Sequence, residues 1–129
     1  MRRFFSPRQL DHAPVVELHN GGFTAYAEVP ARAEAILHAI GGAEPPADRG
    51  EAPIAAVHSA DYLAFLKEAP ARWAAAGRSG DAIPYAFPVV GRRPLRLDRI
   101  DALMGRHSFD ATTPITPATW DAAYGSAQT

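Results

Sequence analysis

Five histidines and fourteen carboxylates are the side chains of this 129-residue sequence with the widest scope for acid–base or metal chemistry, and no cysteine adds a thiolate to them. The histidines are His12, His19, His38, His58 and His107. No two stand three or four residues apart, so no helix can offer two imidazoles to one ion. His12 and His19 share a stretch with Asp11 and Glu17, where a metal site competes with the commoner use of histidine as a loop brace. His58 precedes Ser59 and is expected to brace a helix start by hydrogen bonds, and His38 is expected on a solvated helix flank. Glu17, Asp101 and Asp110 stand in or beside loops, where a carboxylate can hold a cation; capping or simple solvation is the competing use. No GxSxG, HExxH, P-loop or GxGxxG pattern occurs. Tyr62, Phe65 and Trp73 have helical spacing and read as core rather than as a stacking platform. From these residues alone no reaction can be named.

Bulk charge narrows the partners. Thirteen Lys and Arg against fourteen Asp and Glu leave a net charge of -1, too little field to draw in nucleic acid or an anionic membrane. The start MRRFFSPRQL lacks the apolar core of a secretory signal. No apolar run approaches the ~18 residues that span a bilayer. The expectation is a bacterial cytoplasmic protein, with neither nucleic acid nor membrane as partner. Absence of cysteine excludes disulfides and thiolate metal sites.

The elements that must position these residues are punctuated by 12 prolines and 10 glycines. Arg3-Phe4-Phe5 suits a brief buried strand. Residues 6–28 keep no helical period and are expected as a long loop. Pro30 opens a helix, with Ala33, Ile36, Leu37 and Ile40 on one face and Gly41-Gly42 as the stop. Residues 43–50 are a polar loop, and 51–57 lean towards a short helix. Ser59 is expected to cap the next helix, whose apolar face holds Tyr62, Leu63, Phe65 and Leu66 and which Pro70 is expected to break or restart. Residues 78–96 read as loop. Asp98 is expected to cap a helix over 99–106. Thr116 and Pro117 are expected as cap and first residue of a last helix carrying Trp120, Ala123 and Tyr124. That pattern still runs at Thr129, as in a chain cut in mid-helix, and Gly125 lies too early to end it.

Three stretches carry a resemblance. The first is FFSPRQLDHAPVVELHNGG followed by EVPARAEAILHAI. The second is VHSADYLAFLKEAPARWAAAG. The third is TPITPATWDAA, preceded by AIPYAFPVVGRRP. In this order and spacing they resemble the N-terminal region of the acetylpolyamine amidohydrolases, in the arginase/deacetylase superfamily that includes histone deacetylases. The resemblance covers essentially the whole chain.

It implies an α/β fold, a parallel sheet flanked by helices. This segment would be mostly helices and long loops, with Arg3-Phe4-Phe5 as its one short N-terminal strand. Residues 1–129 would then form a partial deacetylase domain without its catalytic part. The implied reaction is hydrolysis of acetyl amides of small amines. In that family zinc is held by two aspartates and a histidine, a histidine pair serves as base and acid, and a tyrosine steadies the oxyanion. The Gly-His-His pair and the Asp-x-His ligand pair do not occur here, so no catalytic or metal role is assigned to any residue, no bound zinc is expected, and the chain alone is expected to be inactive. Only the rim transfers. Glu17 matches one acidic position that favours a cationic amine, Asp101 matches a second as Asp for Glu, and a third falls on Thr112. The 78–112 loop would narrow the mouth and support a homodimer. Apolar faces such as Leu63/Leu66 and Trp120/Tyr124 are expected to lie exposed, with marginal stability. The alternative reading is a stand-alone helical dimerisation module derived from the deacetylase front end.

Overall fold

The computed structural model describes residues 1–87 and 98–129. Its elements are a 3₁₀ turn at Pro7–Asp11, strands β1 (Val16–His19) and β2 (Gly22–Ala25), and helices α1 (Pro30–Ala39), α2 (Ala52–Ala55), α3 (Ala60–Ala75), α4 (Ile100–His107) and α5 (Thr119–Ala127). The expected loop 6–28 is corrected: it contains the 3₁₀ turn and an antiparallel hairpin in which Val16 faces Ala25 and Glu17 faces Thr24. Asn20 and Gly21 make its two-residue turn with φ of 51° and 79°. Both angles are left-handed, which Asn-Gly adopts at low cost and which matches the strands' twist. The expected buried strand at Arg3-Phe4-Phe5 is instead a single parallel bridge of Phe4 to Glu44, with Phe4 exposed. The Phe5 amide donates to the Glu44 carbonyl and the Glu44 amide to that of Arg3.

Helix α3 organises the core. Tyr62, Phe65, Leu66, Ala69 and Trp73 fall at i, i+3, i+4, i+7 and i+11 and so share one face. Phe65, Leu66, Ala69 and Trp73 pack with Ala82, Ile100, Met104 and Ile115, and Met104 has no solvent exposure. Residues 82 and 115 exchange both backbone hydrogen bonds, 3.0 and 2.8 Å, which ties the two long connections together. The expected exposure of Leu63 and Leu66 is not found: both are buried, because α3 lies against α4 and α5. Trp120 and Tyr124 are half-buried. Exposed apolar side chains include Ile36 of α1, at 61%, Phe23 of the hairpin, and Val15, Val57 and Phe109 in the connections.

Several boundaries differ from expectation. Helix α3 runs unbroken through Pro70. Ser59 does occupy its N-cap position, but without a side-chain bond to the helix backbone. The α4 cap position is held by Arg99, not Asp98, and no side chain caps the helix; the Asp98 carbonyl accepts from Arg72 at 2.8 Å. Helix α5 starts at Thr119, because Thr116 and Pro117 form the preceding turn and the Thr116 hydroxyl accepts from the Ala118 amide at 3.2 Å. Gly125 lies inside α5, which ends at Ala127.

Candidate functional site

The hairpin and the start of α5 converge on His12. Its Nδ1 lies 2.9 Å from the Thr119 hydroxyl and its Nε2 3.3 Å from the Tyr26 hydroxyl. The His12 and Tyr26 rings meet edge to face at 5.8 Å. Thr119 is fixed in turn by the Thr116 amide, which donates to its Oγ1 at 2.8 Å. Tyr26 is buried and its amide donates to the Val15 carbonyl at the hairpin base. Burial pushes the His12 pKa below its ordinary value, against the pull of Asp81. The ring is therefore neutral near pH 7, with one nitrogen donating and one accepting.

Acidic groups surround this tie. Burial raises the Tyr26 pKa first, and the charges of Glu28, Glu17 and Asp110 raise it further, so the phenol keeps its proton. Glu17, the first expected rim residue, sits on β1, and its carboxylate accepts from the Ala27 amide at 3.3 Å. Glu28 pairs with Arg32 across the first turn of α1. Asp110 accepts from the amide and hydroxyl of Thr112, 2.9 and 3.0 Å. Burial would raise its pKa, but the bonds from Thr112 and Thr113 outweigh that and hold the carboxyl below its usual range. Thr112, the third expected rim position, is thus bound to an acid two residues earlier.

Asp101, the second expected rim residue, has different company. One of its oxygens takes Arg78 at 2.8 Å and the other Arg99 at 3.4 Å, and the side chain is 16% exposed. Hydrogen bonding with Tyr85 and then the charge of Arg78 hold its carboxyl below the ordinary range. Glu17 and Asp101 share no contact, so two separate acidic points are present rather than one cluster.

His12 has both ring nitrogens engaged by hydroxyls and acts as a brace between segments. His19 ends β1 with an exposed side chain. His58 lays its ring against Tyr62 at 5.4 Å instead of bonding the helix start, and His107 stacks on Phe65 at 4.7 Å. No three His, Asp or Glu side chains are grouped to hold a metal among the described residues. The donor set that zinc requires is therefore not assembled by them. The brace agrees with the expected use of His12 in a loop, but its partners Tyr26, Thr116 and Thr119 were not expected. Its one sequence signal was the pair of threonines three apart, Thr116 and Thr119.

A hairpin, a 3₁₀ turn and a helical layer with an acidic margin match part of a larger deacetylase-type α/β fold. The comparisons identify which one. No family model matches the chain. Two relatives from Pseudomonas aeruginosa, acetylpolyamine amidohydrolases 2 and 1, are 41% and 43% identical over 86% and 87% of this chain. The acetylpolyamine amidohydrolase of Mycoplana ramosa is 38% identical over 98% of it. A crystal structure of the acetylpolyamine aminohydrolase from Burkholderia pseudomallei superposes with a TM-score of 0.84 at 36% identity, over 99% of this chain and 38% of that one. The chain belongs to the acetylpolyamine amidohydrolase family of the deacetylases and corresponds to its N-terminal part. It spans 34–38% of the length of the relatives it matches. Among the described residues no helix is long and apolar enough to cross a membrane.

Proposed function

We propose that this chain supplies the N-terminal, substrate-entry portion of a zinc-dependent deacetylase that hydrolyses acetyl amides of small cationic amines such as acetylpolyamines. One observation carries the proposal: four acetylpolyamine amidohydrolases match the chain over 86–99% of its length, and a structure of that name superposes on nearly all of it. In this reading residues 1–129 form a partial domain, and the zinc ligands and catalytic histidines come from polypeptide beyond the matched third. The isolated chain is inactive, because hydrolysis at neutral pH needs a polarised carbonyl and an activated water together.

The role of this portion is at the mouth. Glu17 and Asp101 draw the ammonium group of the substrate inward, acting on encounter more than on chemistry. The 78–112 segment provides a homodimer surface; Tyr85 and Phe87 there are half exposed or nearly so, and its residues 88–97 lie outside the described ones. The test is to join this chain to the remaining two thirds of the Burkholderia relative and assay acetylated polyamines. Turnover by the joined protein, reduced in both Glu17→Gln and Asp101→Asn, is the expected result. Turnover by the 129 residues alone, or kcat/KM unchanged by both substitutions, rejects the corresponding part.

A further inference from the structure

Among the described residues β1 and β2 pair only with each other, and no residue of either strand is buried. A lone two-stranded ribbon is marginal by itself, so its place on the surface is set at its base. There Pro14 and Tyr26 are buried, and the Tyr26 amide donates to the Val15 carbonyl at 3.2 Å. The Tyr26 hydroxyl lies 3.3 Å from His12 Nε2, and His12 Nδ1 lies 2.9 Å from the Thr119 hydroxyl. Thr119 opens α5, and its oxygen is held by the Thr116 amide at 2.8 Å. The ribbon is thereby tied to a helix that packs on the 3₁₀ turn and on α3.

Glu17 stands at the far end of this tie. It lies on β1 opposite Thr24, and its carboxylate accepts at 3.3 Å from the amide of Ala27, the residue after Tyr26. Whatever fixes Tyr26 therefore fixes the donor that orients Glu17. A glutamate at a surface otherwise spreads its charge over many rotamers, and ordering it before the ligand arrives removes that cost from binding. We infer that His12 is a positioning residue for Glu17: it holds Tyr26 to α5, and the backbone after Tyr26 then holds the carboxylate where an ammonium group enters. The inference rests on the rim role proposed for Glu17. It assigns to an imidazole 107 residues from Thr119 in sequence a part in choosing between charged and uncharged amines, through hydrogen bonds alone and without contact with the substrate.

The experiment uses the chain joined to the remaining two thirds of the Burkholderia relative and two substrates. One is an acetylpolyamine, which keeps a second ammonium group; the other is an acetylated monoamine of similar length, which has none. His12→Ala and Tyr26→Phe cut the tie at either end, and the second keeps the ring and carries the test if the first fails to fold. Each is expected to raise KM for the acetylpolyamine about three-fold, the scale of one exposed charge contact, with kcat unchanged and the monoamine unaffected. Neither adds to the effect of Glu17→Gln in the double variant. His12→Gln, whose amide can still meet the Tyr26 hydroxyl, recovers part of the loss. Equal losses for both substrates, no loss for either, or losses that add to that of Glu17→Gln overturn the inference.

A second readout needs no turnover. In the ¹⁵N-labelled 129-residue chain, Glu17→Gln is expected to shift the Ala27 amide signal, and to shift it clearly less in a Tyr26→Phe background. Equal shifts in both backgrounds overturn the inference. If Glu17→Gln leaves the kinetics of the joined protein unchanged while the Ala27 signal behaves as expected, the positioning by His12 stands and the rim role proposed for Glu17 falls.

Discussion

His12 and Thr119 are 107 residues apart in sequence and 2.9 Å apart in space. That bond, with the one from His12 to Tyr26, joins the N-terminal hairpin region to the last helix, across most of the chain. Each member is partly or largely buried, so losing the imidazole leaves two hydroxyls with fewer partners. His12→Ala is expected to destabilise the chain by about 2 kcal/mol, roughly 1 kcal/mol for each bond removed. Urea titration of the two proteins checks the figure, and equal midpoints would show that the brace is dispensable.

The same residue sets a pH dependence. Burial holds the His12 pKa below its ordinary 6.5, and burial does the same to His107. A histidine with a lowered folded-state pKa binds its proton more readily when unfolded. Stability is then fully present above about pH 6.5 and declines as pH falls from there towards the folded-state values, where the loss levels off. Thermal melts between pH 7.5 and 5.5 should show Tm falling with acidification. The slope should shrink in His12→Gln, which cannot titrate. An unchanged slope in that variant would place the effect on His107 or elsewhere.

Much of this arrangement was open to reading in the sequence, and the failures have identifiable causes. Helix α1 was legible because Pro30, the 33/36/37/40 spacing and Gly41-Gly42 are all local signals. The hairpin was missed although Asn20-Gly21 is a strong turn signal, since strands of four residues leave little alternation to detect. The continuity of α3 through Pro70 was missed because packing of Phe65, Leu66, Ala69 and Trp73 on the core outweighs a local propensity. The partners of the His12 brace were illegible for a different reason: its members come from three separate segments, and no pattern along the chain links residues 12, 26 and 119. Of the expected rim, Glu17 and Asp101 came from the family resemblance, and nothing in the residue spacing foretold that Arg78 and Arg99 would sit on Asp101.

Close backbone approach makes two glycines sensitive. A Cβ on Gly125 would lie 2.7 Å from the Ser6 hydroxyl oxygen and 2.9 Å from the Arg8 Cβ, where the 3₁₀ turn crosses α5. A Cβ on Gly105 would lie 1.6 Å from the Ala86 carbonyl oxygen. The first clash is with side-chain atoms and can be relieved in part; the second is with backbone and cannot. Gly125→Ala is expected to cost about 1–2 kcal/mol and Gly105→Ala about 3 kcal/mol. Calorimetry that ranked them the other way would mean that the connection before residue 88 yields more readily than the 3₁₀ turn.

Pro70 is a site where stability should increase. It lies ten residues into α3, where a proline removes one amide and crowds the carbonyl four residues back, that of Leu66. Pro70→Ala restores the bond and relieves the crowding. The gain is expected at about 1–2 kcal/mol, less than the ~3 kcal/mol seen in isolated helices, because the structure already accommodates the ring. A lower Tm in this variant would mean that the half-buried ring contributes more through packing than it costs the helix.

The pairing of Asp101 with Arg78 bears on the proposed substrate. An acid that is to attract an ammonium group at the mouth must compete with the guanidinium already 2.8 Å away. Among the described residues Glu17 meets only an amide donor, from Ala27, and so presents a less compensated charge. In the chain joined to the rest of a relative, Glu17→Gln should therefore lower kcat/KM for acetylated polyamines more than Asp101→Asn does. Removing the nearer competitor should act in the opposite direction: Arg78→Gln leaves Asp101 with Arg99 alone, 3.4 Å away, and is expected to raise kcat/KM by about three-fold at low salt, with the gain shrinking as salt is added. An acetylated amine with no second ammonium group should gain nothing. A gain of the same size for that uncharged substrate would mean that Arg78 acts by holding Tyr85 and α4 in place, and not through the charge of Asp101.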